Sequence, residues 1–396
     1  MVASSQNPLT FLLLNRQTAC QLRAFTGTHA KGIRLQINII SLTGKTMLQR
    51  RTFLKSGAAV ALGIPALSGL AEQAVTLKFH TFISPESLIW QTMHKPWMAK
   101  VEKESGGRIK FEGSPGMRLG GTPGQLYDQV KEGTADVVWT LPSYTAGRFP
   151  RVEVFELPFM MSNAEATSRA YWEYVQTMAA DEFKDVQVLA LQVHGPGVIH
   201  TVTQPVRSVT DMKDLQLRAP TRQVAKMLSF LGAKPVNMPL PAIPEALSKG
   251  AIGGCVIPWE VAPSIRVNEL TKYSAEFAPA GGALYTSTFV MAMNKARYEA
   301  LAPDLKKVID NNSGMATSGW LGKTQQGNDP MGRKAAVEHK NTIFTVGAAE
   351  AQEFRRTSRL VEVEWTEDML KRGHDGYKLL QTARNLIEKH TKMISA

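Results

Sequence analysis

The sequence predicts an α/β protein of two lobes joined by crossing strands. Three observations lead there. From Val75 onward, short apolar runs of strand length alternate with stretches of helical period. Thr, Pro and Gly stand where those helices should begin and end. A second run of the same alternation opens near Val198, with no visible internal repeat. A chain of 396 residues allows about two domains with cores of their own. With 43% apolar and 20% charged residues it has an ordinary globular composition, which excludes a disordered, collagenous or coiled-coil chain.

The elements follow in order. Val75, Leu77 and Phe79 alternate with Thr76, Lys78 and His80, the pattern of a half-buried strand. Residues 84–104 read as a helix with Met93, Trp97 and Val101 on one face, kinked or broken at Pro96. Gly106-Gly107 ends it, and 108–113 is a short strand. Thr122-Pro123-Gly124-Gln125 is a helix start, with Thr122 as N-cap, Pro123 at the first helical position and Gln125 closing a capping box. Leu126 and Val130 face inward, Gly133 stops that helix, and 135–140 is a buried strand. In the second run, strands at 198–203 and 217–219 lead to Thr221, the N-cap of a helix over 222–231. A short helix over 241–249, a strand over 251–257 and a strand over 284–293 follow. Two or three helices should fill the last hundred residues.

The charge lies unevenly. The chain has 46 Lys and Arg against 34 Asp and Glu, a net charge of +12. No acid precedes Glu72, whereas eight basic residues do: Arg16, Arg23, Lys31, Arg34, Lys45, Arg50, Arg51 and Lys55. The rest of the chain is therefore near balance, and the basicity is no argument for nucleic acid. Met47-Leu48-Gln49-Arg50-Arg51-Thr52-Phe53-Leu54-Lys55, a weakly apolar run over 57–70 and small residues at Gly69 and Ala71 have the order of an export signal. The Arg-Arg-x-Phe-Leu-Lys string resembles a twin-arginine signal, whose pathway exports folded proteins. The alternative for this run is a buried core helix, in which Arg50-Arg51 would have no use. Residues 1–46 show no helical or strand period and read as an upstream extension of the frame or a disordered arm; 47–74 is the signal segment. Loss of the leader removes Cys20 and leaves Cys255 alone, without an internal disulfide. No run of 18 apolar residues suggests a membrane span.

Catalytic signatures are missing. The phosphate-loop and dinucleotide glycine patterns, Gly-x-Ser-x-Gly and His-Glu-x-x-His do not occur. His194 and His200 are six apart, a poor metal spacing on helix or strand. Cys255 lies among glycines and apolar residues, as a buried inert thiol or, less simply, a nucleophile. Glu260 beside Trp259 could act as a base, yet no partner is evident. The aromatics are not interleaved with basic clusters, against single-strand binding. An exported two-lobed α/β chain of this kind is most simply a ligand-binding protein and not an enzyme, with no cofactor or metal implied.

The segments 104–109 (Glu-Ser-Gly-Gly-Arg-Ile), 116–121 (Gly-Met-Arg-Leu-Gly-Gly), 133–137 (Gly-Thr-Ala-Asp-Val) and 155–159 (Phe-Glu-Leu-Pro-Phe) come in a recognisable order. So do 214–220 (Asp-Leu-Gln-Leu-Arg-Ala-Pro), 231–236 (Leu-Gly-Ala-Lys-Pro-Val), 246–252 (Ala-Leu-Ser-Lys-Gly-Ala-Ile) and 293–295 (Met-Asn-Lys). In these pieces the chain from Val75 to about Lys392 resembles the substrate-binding proteins of tripartite ATP-independent periplasmic (TRAP) transporters, of the DctP type. The resemblance implies a periplasmic binding-protein clamshell with a lobe-spanning helix. Lobe one would be 75–195 plus 284–323, and lobe two 196–283 plus 324–396 with the C-terminal helices. It implies capture of a small organic carboxylate in the periplasm and delivery to the membrane permease subunits.

The family's ligand-anchoring arginine falls on Arg218. A guanidinium forms a planar fork that fits a carboxylate bidentately, so the chemistry agrees. The alternative is a surface arginine paired with Asp211 or Asp214. Family pocket positions after the strand over 251–257 fall on Trp259 and Glu260, although Ile252-Gly253-Gly254 replaces the family's Val-Asp-Gly. Trp139 and Thr140 at a strand tip, His80 after the first strand and Tyr285 near the return crossing are pocket candidates that could equally be core. His200 and His80 are the fallback partners for a carboxylate. Sialic-acid-binding members of the family carry a further arginine at a position that falls around Val198; none stands there, so the resemblance implies that a sialic acid or similarly polar ligand does not fit. Several aromatics with one arginine suggest an apolar, aromatic, keto or hydroxy monocarboxylate. Rival readings are a binding protein serving a sensor or another permease class, and an exported enzyme.

Overall fold

The computed structural model describes residues 74–396, all within one compact unit, Ser68–Ala396. The expected upstream segment and all but the last residue of the expected signal segment lie outside the described residues, as does Cys20.

Eleven strands form two sheets among the described residues. They are β1 (Val75–Thr81), β2 (Ile109–Ser114), β3 (Val137–Thr140), β4 (Val186–Val193), β5 (Val198–Thr201) and β6 (Gln216–Ala219). The others are β7 (Lys234–Asn237), β8 (Gly254–Ile257), β9 (Tyr273–Phe277), β10 (Thr288–Asn294) and β11 (Thr342–Val346). The first sheet has the order β2-β1-β3-β10-β4 and the second β11-β9-β5-β8-β6-β7. The chain passes from the first to the second between β4 and β5 and returns before β10. This is the two-lobed α/β fold that the sequence predicts.

Local chemistry explains the elements. β1 alternates at its start, with Thr76 and Lys78 exposed and Leu77 and Phe79 buried; its end is buried on both faces because β3 joins there, Phe79 opposite Val137 and Thr81 opposite Trp139. The helix expected over 84–104 begins at Leu88 and contains a π segment, Trp90–His94, before the α segment Lys95–Glu104. The Lys95 N–H reaches back to the Trp90 carbonyl, and this wider turn accommodates Pro96, which lacks the N–H and crowds the preceding turn. Thr122 and Gln125 form the expected capping box, Gln125 Oε1 accepting from the Thr122 N–H at 2.8 Å. Thr221 caps helix Arg222–Phe230 through the Val224 N–H.

Four strands, β4, β7, β9 and β11, are additional to those the sequence suggests. β7 hides behind Pro235, tolerated because the strand sits at a sheet edge and pairs only with β6. After β10 the described residues form seven helices and β11, more than the two or three helices expected.

Helices Gly314–Gly327 and Asp329–Glu338 run end to end past both sheets. The first packs on β4 and on helix Ala164–Tyr174, the second on the turn Trp259–Val261 after β8. Asn328 interrupts them, two residues before Pro330. Gly332 lies so close to the Trp259 carbonyl that any side chain there would overlap it, which fixes this helix on the second lobe.

Candidate functional site

The parallel strands β1 and β3 of the first sheet and β6 and β8 of the second end towards one cavity. Binding sites in open α/β sheets form at such carboxyl ends. Phe82 enters just after β1, Trp139 and Leu141 from β3 and beyond it, Pro220 after β6, and Ile257 and Pro258 from the end of β8. The two chain crossings contribute His194, Tyr285 and Ser287; the long helix pair contributes Gln325; the turn after β8 contributes Glu260.

The walls are aromatic. Trp139 stacks on Phe289 with ring centroids 4.3 Å apart and planes 11° apart, and also stacks with Phe82 at 5.6 Å. Tyr144 meets Phe82 edge-on at 5.5 Å. The Tyr144 hydroxyl also accepts the Leu240 N–H at 3.1 Å, a contact that carries the first lobe to the second across the cavity.

Arg218 is the cavity's cation. It is 2% exposed, and its guanidinium donates from Nε to the Met238 carbonyl at 2.9 Å and from Nη1 to the Val256 carbonyl at 3.2 Å. These bonds fix the plane of the fork. No carboxylate among the described residues pairs with it. Asp214 pairs with Lys234 at 2.9 Å, and Asp211 accepts from the Arg207 and Ser208 backbone, so the surface-pair alternative for Arg218 is not realised. A buried charge without a counter-ion is costly unless hydrogen-bonded or matched by a ligand.

The other polar groups carry little positive charge. His194 Nδ1 donates to the Gly195 carbonyl at 2.5 Å, leaving Nε2 to accept from Ser287 Oγ at 3.3 Å; burial pushes this imidazole down to about 4, so it is neutral. Gln325 Nε2 donates to Glu260 Oε1 at 2.7 Å, and Gln192 Nε2 donates to Gln325 Oε1 at 2.7 Å. Trp139 Nε1 donates to Gln192 Oε1 at 3.3 Å, so a single polar chain links the aromatic wall to Glu260.

Of the residues singled out from sequence, Arg218, Trp139, Tyr285 and Glu260 meet at the cavity, and four do not line it. Trp259 turns away from Glu260; its Nε1 donates to Glu276 Oε2 at 3.0 Å, and it packs with Val198 and Ala336. His200 is on that side too, 5.0 Å from the Trp259 ring, with Nδ1 on Ser274 Oγ at 2.9 Å. Thr140 alternates with Trp139, and its hydroxyl reaches the Pro123 carbonyl. His80 is wholly buried in β1, two residues short of the lining position Phe82. Cys255 is buried and its thiol is pushed up to about 12, an inert environment. Among the described residues no cluster of His, Cys, Asp and Glu could hold a metal ion.

The family model for the bacterial extracellular solute-binding proteins, family 7 (DctP), matches residues 79–367. The chain belongs to this family. As a family 7 solute-binding protein it is built for capture outside the cytoplasm. It is 66% identical to a TRAP solute-binding protein of Rhodoferax ferrireducens T118, solved with copurified benzoate; the match covers 82% of this chain and all of that one, with a TM-score of 0.81. A marine metagenome TRAP solute-binding protein specific for aromatic acid ligands, solved with 3-hydroxybenzoate, is 45% identical over 80% of this chain and 99% of its own, with a TM-score of 0.79. A TRAP periplasmic solute-binding protein of Bordetella bronchiseptica, solved with (R)- and (S)-mandelate, is 25% identical over 80% of this chain and 99% of its own, with a TM-score of 0.72. These relatives are solute-binding proteins.

Proposed function

We propose that this solute-binding protein captures an aromatic monocarboxylate of benzoate size and delivers it to the membrane subunits of a TRAP permease. The observation that carries this reading is Arg218, buried, held in plane by two backbone carbonyls and unpaired with any carboxylate among the described residues, at an aromatic cavity. A ligand carboxylate supplies the missing counter-ion, and its ring supplies apolar surface to Phe82, Trp139 and Phe289. With His194 neutral, one fixed cation balances one ligand charge. The aromatic acids bound by the relatives support the same class. Arg218, Tyr144, Trp139, Phe289 and Glu260 are the proposed contacts; Trp259, Thr140, His80 and His200 support them from behind.

Closure divides the chain at the crossings, with lobe one as 75–195 plus 284–323 and lobe two as 196–283 plus 324–396. Export to the periplasm uses the twin-arginine-like segment 47–74.

A thermal-shift panel tests the reading. Benzoate, hydroxybenzoates and mandelate should raise the melting temperature, and the corresponding amides should not. Ligand at 100 times its Kd stabilises by about 2.7 kcal/mol, a shift of several degrees for a fold of this size. A panel in which sugars or peptides give the shift and the acids give none would overturn it.

A further inference from the structure

Glu260, buried, and Asp329, half-buried, bring two carboxyl groups together, and no cation among the described residues forms an ion pair with either. The two are not equivalent. Asp329 opens helix Asp329–Glu338, whose N-terminus favours negative charge, and its Oδ1 accepts the Glu260 N–H at 3.2 Å. Glu260 stands on the turn after β8 and lines the cavity; Oε1 accepts from Gln325, and Oε2 is buried with no hydrogen-bond donor. Burial and the neighbouring Asp329 hold the Glu260 carboxyl well above the usual carboxylate range, and burial raises Asp329 to about 7. Two neighbouring carboxyls of this kind disfavour ionising together.

The groups around the pair leave it little choice. Helix Gly314–Gly327 offers the neutral Gln325. The crossings offer neutral His194 and Tyr285, whose phenol burial keeps protonated, and Tyr144 opposite is likewise raised. β6 offers Arg218, committed to two carbonyls and to the cavity. Behind, Trp259 is engaged with Glu276, which pairs with Arg333 at 2.9 Å.

We propose that the Glu260–Asp329 pair is a proton site linked to ligand capture: the anion enters the cavity only while the pair keeps its proton, and its arrival tightens the pair's hold on that proton. The inference rests on the carboxylate reading above. It makes the cavity selective for ligands with a single negative charge, because a second one would meet the pair and not a cation. The sign follows from linkage. An adjacent anion raises the pair's proton affinity, so binding takes up protons, and affinity falls as pH rises through the titration of the pair, by at most about tenfold per pH unit for one proton.

Titration calorimetry of benzoate on the mature protein between pH 6 and 9.5, in two buffers of different ionisation heat, reads both quantities. The expected result is net uptake of up to one proton and an affinity that declines towards high pH. Glu260→Gln, and independently Asp329→Asn, should each flatten the decline and reduce the uptake. Benzoate binding with no pH slope and no proton uptake would overturn the inference and leave the carboxylate reading standing, as would an unchanged slope in both variants. Absence of benzoate binding at every pH would overturn both.

Discussion

Gly197 lies beneath the ring of Tyr285: its N–H donates to the Tyr285 carbonyl at 3.0 Å, and a Cβ at position 197 would overlap the phenol. The two residues belong to the two crossings between the lobes, which a further bond from Thr286 Oγ1 to the His194 carbonyl, at 2.8 Å, also ties together. The crossing is thus tightly packed where Tyr285 and His194 also line the cavity. Gly197→Ala should therefore destabilise by about 1–3 kcal/mol, the usual cost of overpacking. Combined with Tyr285→Ala, the loss should be less than additive in thermal melts; strict additivity would show that the two do not share space.

Trp139 stacks with both Phe82 and Phe289. Trp139→Ala should cost about 3–5 kcal/mol of stability by the cavity it leaves. Trp139→Phe keeps a ring but gives up the bond to Gln192, and should lie between wild type and Ala in denaturant unfolding. Equal midpoints for Ala and Phe would contradict a stacking role.

His94 is buried against Phe79 and Trp139, 5.0 Å from each, with neither ring nitrogen hydrogen-bonded. Burial pushes it down from 6.5 to about 3. The fold therefore favours the neutral ring, and this contribution is fully present above pH 6.5 and is lost as pH falls below it. The carboxyls of buried Glu156 and Glu260 and of half-buried Asp329 are raised and titrate with the opposite sign, so the informative quantity is a difference. The melting temperature of His94→Phe relative to wild type should rise steadily between pH 6.5 and 4.5. A constant difference would mean that His94 is not protonated on unfolding.

Export can be tested apart from binding. Arg50-Arg51 replaced by Lys-Lys should leave precursor in the cytoplasm, whereas the unchanged chain should mature with a start between Glu72 and Val75. Normal export of the Lys-Lys chain would refute the twin-arginine route and leave the periplasmic destination intact.

The alternation of strand and helix was legible because its markers are local: a capping box at Thr122, an N-cap at Thr221, apolar runs bounded by glycine. β7 and β11 were not, being short edge strands, one of them with a proline. Arg218 was reached through the resemblance, since a lone arginine two residues from a proline says nothing by itself. Phe82 and Trp139 show how far period reasoning goes. Adjacent residues at a strand tip face opposite ways, so naming Trp139 and Thr140 together, or His80 in place of Phe82, costs a face or a turn. Asp329 and Gln325 are 69 and 65 residues from Glu260, and only the end-to-end helix pair over 314–338 brings them to it. Arg222, at the start of the helix after β6, bonds Glu153 at 2.6 Å and Asp368 at 3.0 Å, partners 69 and 146 residues away that no local pattern points to.

The most direct test is calorimetry of benzoate and benzamide on the mature protein and on Arg218→Ala. Removing one partner of a desolvated charge pair costs about 2–5 kcal/mol, roughly 30-fold to several thousand-fold in affinity. Wild type should bind benzoate and not benzamide, and Arg218→Ala should lose benzoate by that factor while melting as a cooperative fold. Undiminished benzoate binding by Arg218→Ala, or equal binding of the amide by wild type, would contradict the account.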